Sequence, residues 1–383
     1  MSAGALAGLR VLDLTRYIPG PYATQLLADL GADVVKIEAP TGDPMRGLSP
    51  AVGEESAAHA AVNRGKRSVV VDIRTGDGAA VVRQLALGMD VLVESFRPGV
   101  LARQALGPEA LLEANPRLVY CSLTGYGQDG PYRDRAGHDV DYLALGGFLG
   151  SNRDGDGRPV IPVTQVADMT AALLAAFGVL AALHARERTG RGQHVDVSLL
   201  RAALALMTVP LTRSQGGPAD ELTGAYPCYT VYRCRDGGAL AVGALEAKFW
   251  ERLCHALGKP ELAGRQWATG ETRVRTRASL AELFASRDRD EWVRALAAHD
   301  VCLEPVLALD EVAAHPAVAR ALMDAPAGPA RLRTVAPPVR FSRTPAEPAL
   351  RAPALGEHTD EVLGEAGFTR ADVERLRREG VLA

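Results

Sequence analysis

The chain has no CxxC pair. Its five cysteines, Cys121, Cys228, Cys234, Cys254 and Cys302, are odd in number and scattered, which excludes a zinc knuckle and a disulfide framework and fits a reducing compartment. It has no surplus of basic charge either. The formal net charge is −3, so no whole-protein field draws it to nucleic acid or anionic lipid. The opening MSAGALAGLRVLDL lacks a charged stretch followed by an apolar one. The longest apolar run, Ala171 to Leu183, falls short of the roughly 20 residues that a bilayer span needs. The expectation is a cytoplasmic protein with no nucleic-acid and no membrane partner. Catalytic signatures are missing as well: there is no GxSxG elbow, Walker loop or HExxH, and His255, His299, His315 and His358 show no metal spacing.

What is present is the composition of an ordinary globular enzyme, 47% apolar and 23% charged over 383 residues, long enough for two domains. Residues 9–38 read as a β-α-β unit: LRVLDLT a strand, PGPYATQLLADLG a helix with Pro21 at its first position and Gly31 just past its end, ADVVKIE a second strand. Its turn carries PGP instead of GxGxxG, so a dinucleotide cofactor has no support. VVVDI, DVLVES and LVYCSLT follow as buried-strand runs separated by helical stretches, which predicts an α/β fold with an open, mostly parallel sheet. A helix from Asp168 to about Arg186 shows Leu173, Phe177 and Leu180 at the spacing of a buried face. HVDVSLLRAALALM gives another strand running into a helix. Residues 208–225 read as a polar linker, and Ala325 to Pro353, with seven prolines, as extended chain. Between them lies a smaller α+β domain, with a hairpin turning at Asp236-Gly237 and two helical stretches. The closing TRADVERLRREGV opens on a Thr369-x-x-Asp372 capping pattern. The expected domains are 1–207 with 326–383, and 226–325, joined by 208–225.

The stretch Arg135 to Asp168 puts His138, after Gly137, and Asp168 at the two ends of a Gly-rich segment. Alone, the histidine reads equally as a satisfied surface residue, Asp168 as a helix N-cap, and Glu246 in VGALEAKFW as the cap of a helix starting near Ala247. Together they suit proton chemistry on an acidic carbon. Arg64, Lys66 and Arg67 precede the strand VVVDI, and Arg97 follows DVLVES. Loops at strand ends bind ligands and Arg forks suit phosphate, although solvated loop charges explain the same spacing.

VLDLTRYIPGPYATQLLADLGADVVKIEAP, NRGKRSVVVDI, VLVESFRPGVLARQALGPEALLEANPRLVYCSLTGYGQDGPYRDRAGHD and LGEHTDEVL together resemble the family III coenzyme A transferases and the α-methylacyl-CoA racemases that share their fold. The resemblance covers essentially the whole chain. It implies a Rossmann-like large domain built from both chain ends, a smaller α+β domain and an interlocked homodimer. It also implies an acyl-CoA thioester as substrate, with coenzyme A entering as part of that substrate and no covalently bound cofactor. In the transferases Asp168 would be a nucleophile forming an aspartyl-CoA thioester. In the racemases His138 and Asp168 would exchange the α-proton of a 2-methylacyl-CoA through an enolate, with Glu246 of the partner subunit beside His138.

His138, Glu246 and Ile18, where some transferases carry glutamine, resemble the racemases. The balance favours a racemase. Lys36, Arg64, Lys66, Arg67, Val71, Asp72, Arg97, Gly137 and Tyr142 would contact the coenzyme A ester, and backbone amides after Asp168 would receive the enolate oxygen. Thr164, Ala167, Asp141 and Ala39 depart from the racemase pattern. The first two flank Asp168 and leave a CoA transferase, or an acyl-CoA-binding protein without catalysis, as the alternatives.

Overall fold

The computed structural model describes residues 4–53, 55–217, 221–327 and 330–382. The chain divides into two compact units, Met1–Thr208 with Arg320–Ala383, and Val209–Ala319.

In the first unit β1 (Arg10–Leu14) leads through α1 (Pro19–Asp29) to β2 (Asp33–Glu38) and on to β3 (Lys66–Val70). Helix α2 (Gly76–Leu87) then returns the chain to β4 (Val91–Glu94), followed by β5 (Val119–Thr124). Helices α3 (Asp139–Leu145) and α4 (Val166–Thr189), strand β6 (His194–Ser198) and helix α5 (Leu199–Leu206) complete the series. The six strands form one sheet in the order β3-β2-β1-β4-β5-β6, every pair parallel, as βαβ crossovers require. Both faces are covered, and the strand residues that meet the covering helices are apolar. On one face α1 and α4 pack over Val11, Val93, Val119 and Cys121. On the other, Leu12, Val35, Leu92 and Tyr120 meet α2 and the C-terminal residues Val362, Leu363, Val373 and Leu376. Those residues belong to helices α9 (Thr359–Glu365) and α10 (Arg370–Arg378), the latter capped by Thr369 as its sequence predicts.

The strand order reverses between β1 and β4. Such a switch point opens a crevice at the carboxyl ends of a parallel sheet. Its lips are Thr15–Ile18 and Ser95–Pro98, tied by the Arg16 amide donating to Ser95 Oγ at 3.3 Å. The Arg16 guanidinium stands 5.8 Å from the ring centroids of both Tyr17 and Phe96.

The second unit has a three-stranded antiparallel sheet, with β8 (Ala239–Gly243) between β7 (Tyr229–Arg233) and β9 (Leu303–Pro305). Helices α6 (Ala247–Ala256), α7 (Gly270–Phe284) and α8 (Arg289–Leu296) bury Trp250, Phe284 and Trp292 against it. The hairpin turns at Asp236-Gly237, where Gly237 has φ +82°, a conformation that costs glycine nothing.

Three local expectations need correction. Pro19, not Pro21, occupies the start of α1. Residues 208–225 are not all linker, because Thr208–Ser214 is helical. The proline-rich return is extended as its sequence predicts, with Leu322–Ala327 and Ala330–Val335 pairing as antiparallel strands. The largest correction concerns α4. Leu173 and Phe177 are 51% and 70% exposed, and Leu174 and Leu180 are also exposed. The buried face is instead Ala167, Ala171, Ala172, Ala175, Ala176, Val179 and Ala182. Small side chains let the helix axis approach α1 and the sheet closely, so the bulky residues are left pointing outward. With 24 residues, α4 is also long and apolar enough to cross a bilayer. Here it is a core helix whose alanine face joins the buried cluster under the sheet.

Candidate active site

His138 is the N-cap of α3, an exposed residue with extended backbone. Its amide donates to the Asp141 carboxylate at 2.9 Å, and the Asp141 amide donates back to the His138 carbonyl at 2.9 Å. This reciprocal pairing satisfies donors that a helix start leaves orphaned. Gly137 before it is required by space: a Cβ there would lie 2.9 Å from the hydroxyl oxygens of both Tyr126 and Tyr142. Tyr142 is buried and meets Tyr126 edge-on, the ring centroids 5.2 Å apart. Burial holds the Tyr142 phenol proton above its ordinary range, and the negative charges of Asp168 and Asp141 add to this while Arg97 opposes it. Those influences place Asp168 and Arg97 in the electrostatic surroundings of one tyrosine.

Asp168 is not the N-cap of α4. Gln165 takes that position and Asp168 lies in the first turn. The capping carboxylate comes from Asp139, whose Oδ1 accepts the amides of Ala167 at 2.7 Å and Asp168 at 3.0 Å. The residue after His138 therefore grips the residue that is the second candidate. Sequence reasoning passed over Asp139, although an acidic side chain directly after His138 in GHDVDY was a signal for it. The amides expected to receive an enolate oxygen need a correction too, because the first one after Asp168, that of Met169, donates to the Gln165 carbonyl at 2.9 Å within the helix. Partial burial pushes the Asp168 carboxyl up to about 7, and the Asp139 charge contributes in the same direction. Desolvation and a like charge both disfavour ionisation, and here they outweigh the helix N-terminus that favours it. Ala167 is fully buried, whereas Thr164, Asp141 and Ala39 are exposed.

The basic residues divide sharply. Lys36 is fully buried, paired with Asp43 at 3.0 Å, and donates to the Thr15 carbonyl at 2.8 Å. Lys66 is buried against Asp13 at 3.0 Å and donates to the Pro21 carbonyl and Asn63 Oδ1. Arg64 forks onto Asp29 at 2.9 and 2.6 Å, and Arg67 onto Asp33, with Glu361 and Glu365 also in reach. These four cations are thus committed to ion pairs within the chain rather than turned toward a ligand. Burial lowers the Lys66 pKa to about 8, and the neighbouring Asp13 charge works against that fall.

Val71 is buried and its amide donates to the Glu38 carbonyl, while Asp72 holds the Arg74 guanidinium at 2.8 and 2.7 Å. Arg97 differs from the other cations. It is exposed on the lip of the switch-point crevice and has no ion pair among the described residues. In the second unit Glu246 is the exposed N-cap of α6. Its carbonyl accepts the Phe249 and Trp250 amides, and its carboxylate makes no capping hydrogen bond.

The family model for CoA-transferase family III matches residues 6–359. The chain is 35% identical to human α-methylacyl-CoA racemase over 99% of its own length and 97% of the relative's. It is 36% identical to the succinate–glutarate CoA-transferase of Agrobacterium fabrum, over 94% and 95% of the two chains. The crystal structure of a CaiB/BaiF family protein from Brucella suis superimposes with a TM-score of 0.84 at 32% identity, covering 96% of this chain and all of that one. A racemase and a transferase stand at the same distance, and the reaction is not decided by similarity. The chain belongs to CoA-transferase family III, the superfamily of CoA transferases and acyl-CoA racemases.

Proposed function

We propose that the protein racemises 2-methylacyl-CoA thioesters by 1,1-proton transfer through an enolate, with His138 and Asp168 as the acid–base groups on opposite faces of the α-carbon. The observation that carries this reading is the Asp139 carboxylate, which accepts the Ala167 and Asp168 amides and so sets a like charge beside the half-buried Asp168, whose carboxyl is pushed up to about 7. Inversion needs a group that is a base for one enantiomer and an acid for the other, and such a group works best when its pKa lies near the working pH. An aspartate with an ordinary pKa does not meet this requirement, and burial beside Asp139 supplies the difference. A nucleophilic carboxylate has the opposite need, because only its ionised form attacks a thioester. The thioester acidifies the α-carbon, His138 and Asp168 move the proton, and Arg97 at the crevice lip meets a phosphate of the coenzyme A moiety.

The exposed stripe Leu173, Leu174, Phe177 and Leu180 supports an assembly of two chains. An apolar helix face of this length gains roughly 2 kcal/mol for each large side chain taken out of water. In that assembly the partner's Glu246 stands beside His138. Dilution that separates the subunits abolishes activity, and a fully active monomer would contradict the assembly.

A second reading, CoA transfer with Asp168 as nucleophile, is favoured by the transferase relative at 36% identity. The test is to incubate a single enantiomer of a 2-methylacyl-CoA with the enzyme alone. Approach to an equal mixture of enantiomers supports racemisation. Retained configuration, with coenzyme A passing to an added carboxylic acid, supports transfer.

A further inference from the structure

On the face of the sheet opposite α4, a row of polar side chains crosses three strands. Glu94 ends β4 and is 5% exposed, and its Oε2 accepts the Phe96 amide at 2.8 Å. Glu94 pairs in register with Ser122 of β5, which is 1% exposed and lies beside it on the same face of the sheet. Ser122 Oγ lies 3.0 Å from Nε2 of His194, a half-buried residue on the edge strand β6. The row thus runs from a solvent-reachable imidazole to a carboxylate that clamps the turn before Arg97. None of its members belongs to the candidate active site.

We infer that His194, Ser122 and Glu94 form a proton path that sets how firmly the Phe96–Arg97 turn is held for the phosphate end of the substrate, with Glu94 as a positioning residue. The inference rests on the reading that Arg97 meets substrate phosphate. Hydrogen-bond bookkeeping defines the path. A serine has one proton to donate. When Glu94 is ionised, the Ser122 hydroxyl donates to it and Ser122 Oγ accepts from His194 Nε2–H. Uptake of one proton at His194 Nδ1 moves the Nε2 proton to Ser122 and the Ser122 proton to Glu94. His194 is then the neutral Nδ1–H tautomer and Glu94 is neutral, so the row has gained one proton and no other bond has changed.

The surroundings keep this exchange near neutrality. Burial pushes the Glu94 carboxyl up to about 7, and the Asp196 charge on β6 adds to it, against the neighbouring Ser122 hydroxyl and the hydrogen bond from the Phe96 amide. Tyr120 and Cys121 of β5 stay protonated, both pushed up by burial. On β1 the neighbour in register is the uncharged Leu14. Burial lowers the His194 pKa while Asp196 raises it. Asp196 itself faces Arg201 at 3.3 Å and the Gln128 amide.

An ionised acceptor binds an amide about twice as strongly as a neutral one, which corresponds to roughly a five-fold difference in how well the turn is held. The test is calorimetric binding of dephospho-coenzyme A, whose diphosphate has no proton to lose in this range, between pH 5.5 and 8.5. The same titration is followed by the 15N shifts of His194. Wild type is expected to bind about five-fold more tightly above pH 7 than below it, with His194 changing from the Nδ1–H to the Nε2–H tautomer at the same midpoint. Glu94→Gln is expected to give one weak affinity at all pH values and one tautomer.

A wild-type affinity independent of pH, or a His194 tautomer that does not change, overturns the inference without recourse to any variant. So does a Glu94→Gln protein that keeps the pH step. Arg97→Ala separates the two levels of argument. Unchanged affinity in that variant removes the phosphate reading itself, whereas weakened affinity with no pH step in wild type removes only the proton path.

Discussion

Asp139 accepts the backbone amide of Asp168 at 3.0 Å, so one acidic residue both fixes and perturbs another. The bond fixes where the first turn of α4 lies relative to the His138 turn. The same carboxylate is a like charge beside Asp168, and it helps to hold that carboxyl near 7. One side chain serves geometry and proton affinity together.

The sign of the resulting pH dependence follows from the roles. For the enantiomer whose α-proton faces Asp168, that group must be ionised, and kcat/KM rises as pH passes through about 7. For the opposite enantiomer it must be protonated, and kcat/KM falls through the same region. Asp139→Asn keeps an acceptor for the two amides and removes the charge, so both limbs move to lower pH, by up to about one unit. Rate profiles of the two enantiomers check this. Limbs that stay in place would show that Asp139 acts by capping alone.

Cation by cation, the variants separate folding from binding. Lys66→Ala strands Asp13 in the core, and loss of one partner of a buried pair costs about 3–5 kcal/mol, read as a lower denaturant midpoint. Arg97→Ala has no partner to strand and leaves stability within about 0.5 kcal/mol. It weakens coenzyme A binding about ten-fold, the loss expected when a charged hydrogen bond to phosphate is removed. Chemical unfolding and calorimetry together distinguish the two.

The faces of α4 predict opposite effects from two substitutions. Ala175→Leu forces a larger side chain between α4 and its neighbours and destabilises the fold by about 1–3 kcal/mol. Phe177→Ser removes an exposed ring, so the fold of each chain is retained while the assembly of two chains weakens. Thermal melts and sizing by light scattering measure the two effects.

How far the sequence could be read depended on whether a local pattern had one physical cause. The parallel strands were legible because VVVDI, DVLVES and LVYCSLT are apolar runs between turn residues, and burial on both faces is the usual origin of such runs. Asp236-Gly237 and Thr369-x-x-Asp372 were legible for the same reason, since each is a short-range hydrogen-bonding device. Leu173, Phe177 and Leu180 misled because periodicity locates an apolar stripe without saying what covers it. In this chain the alanines pack inside. The cations misled because a lysine before a strand looks the same whether it meets ligand phosphate or a buried aspartate 53 positions away, as Lys66 and Asp13 do. His138 and Asp168 were legible as the two ends of a Gly-rich segment, and the family resemblance supplied their roles. Asp139 shows its role only once the N-terminus of α4 is seen against α3.

The central claim, that His138 and Asp168 exchange an α-proton, is tested most directly by mass-spectrometric deuterium uptake. A 2-methylacyl-CoA is incubated in D2O with and without a carboxylic acid acceptor. The account predicts uptake of one deuterium at the α-carbon without acceptor, slowed by about 10²–10⁴-fold in His138→Ala and in Asp168→Ala. No uptake in wild type, with coenzyme A appearing on the acceptor and loss of that transfer in Asp168→Ala alone, would contradict it and make Asp168 a nucleophile.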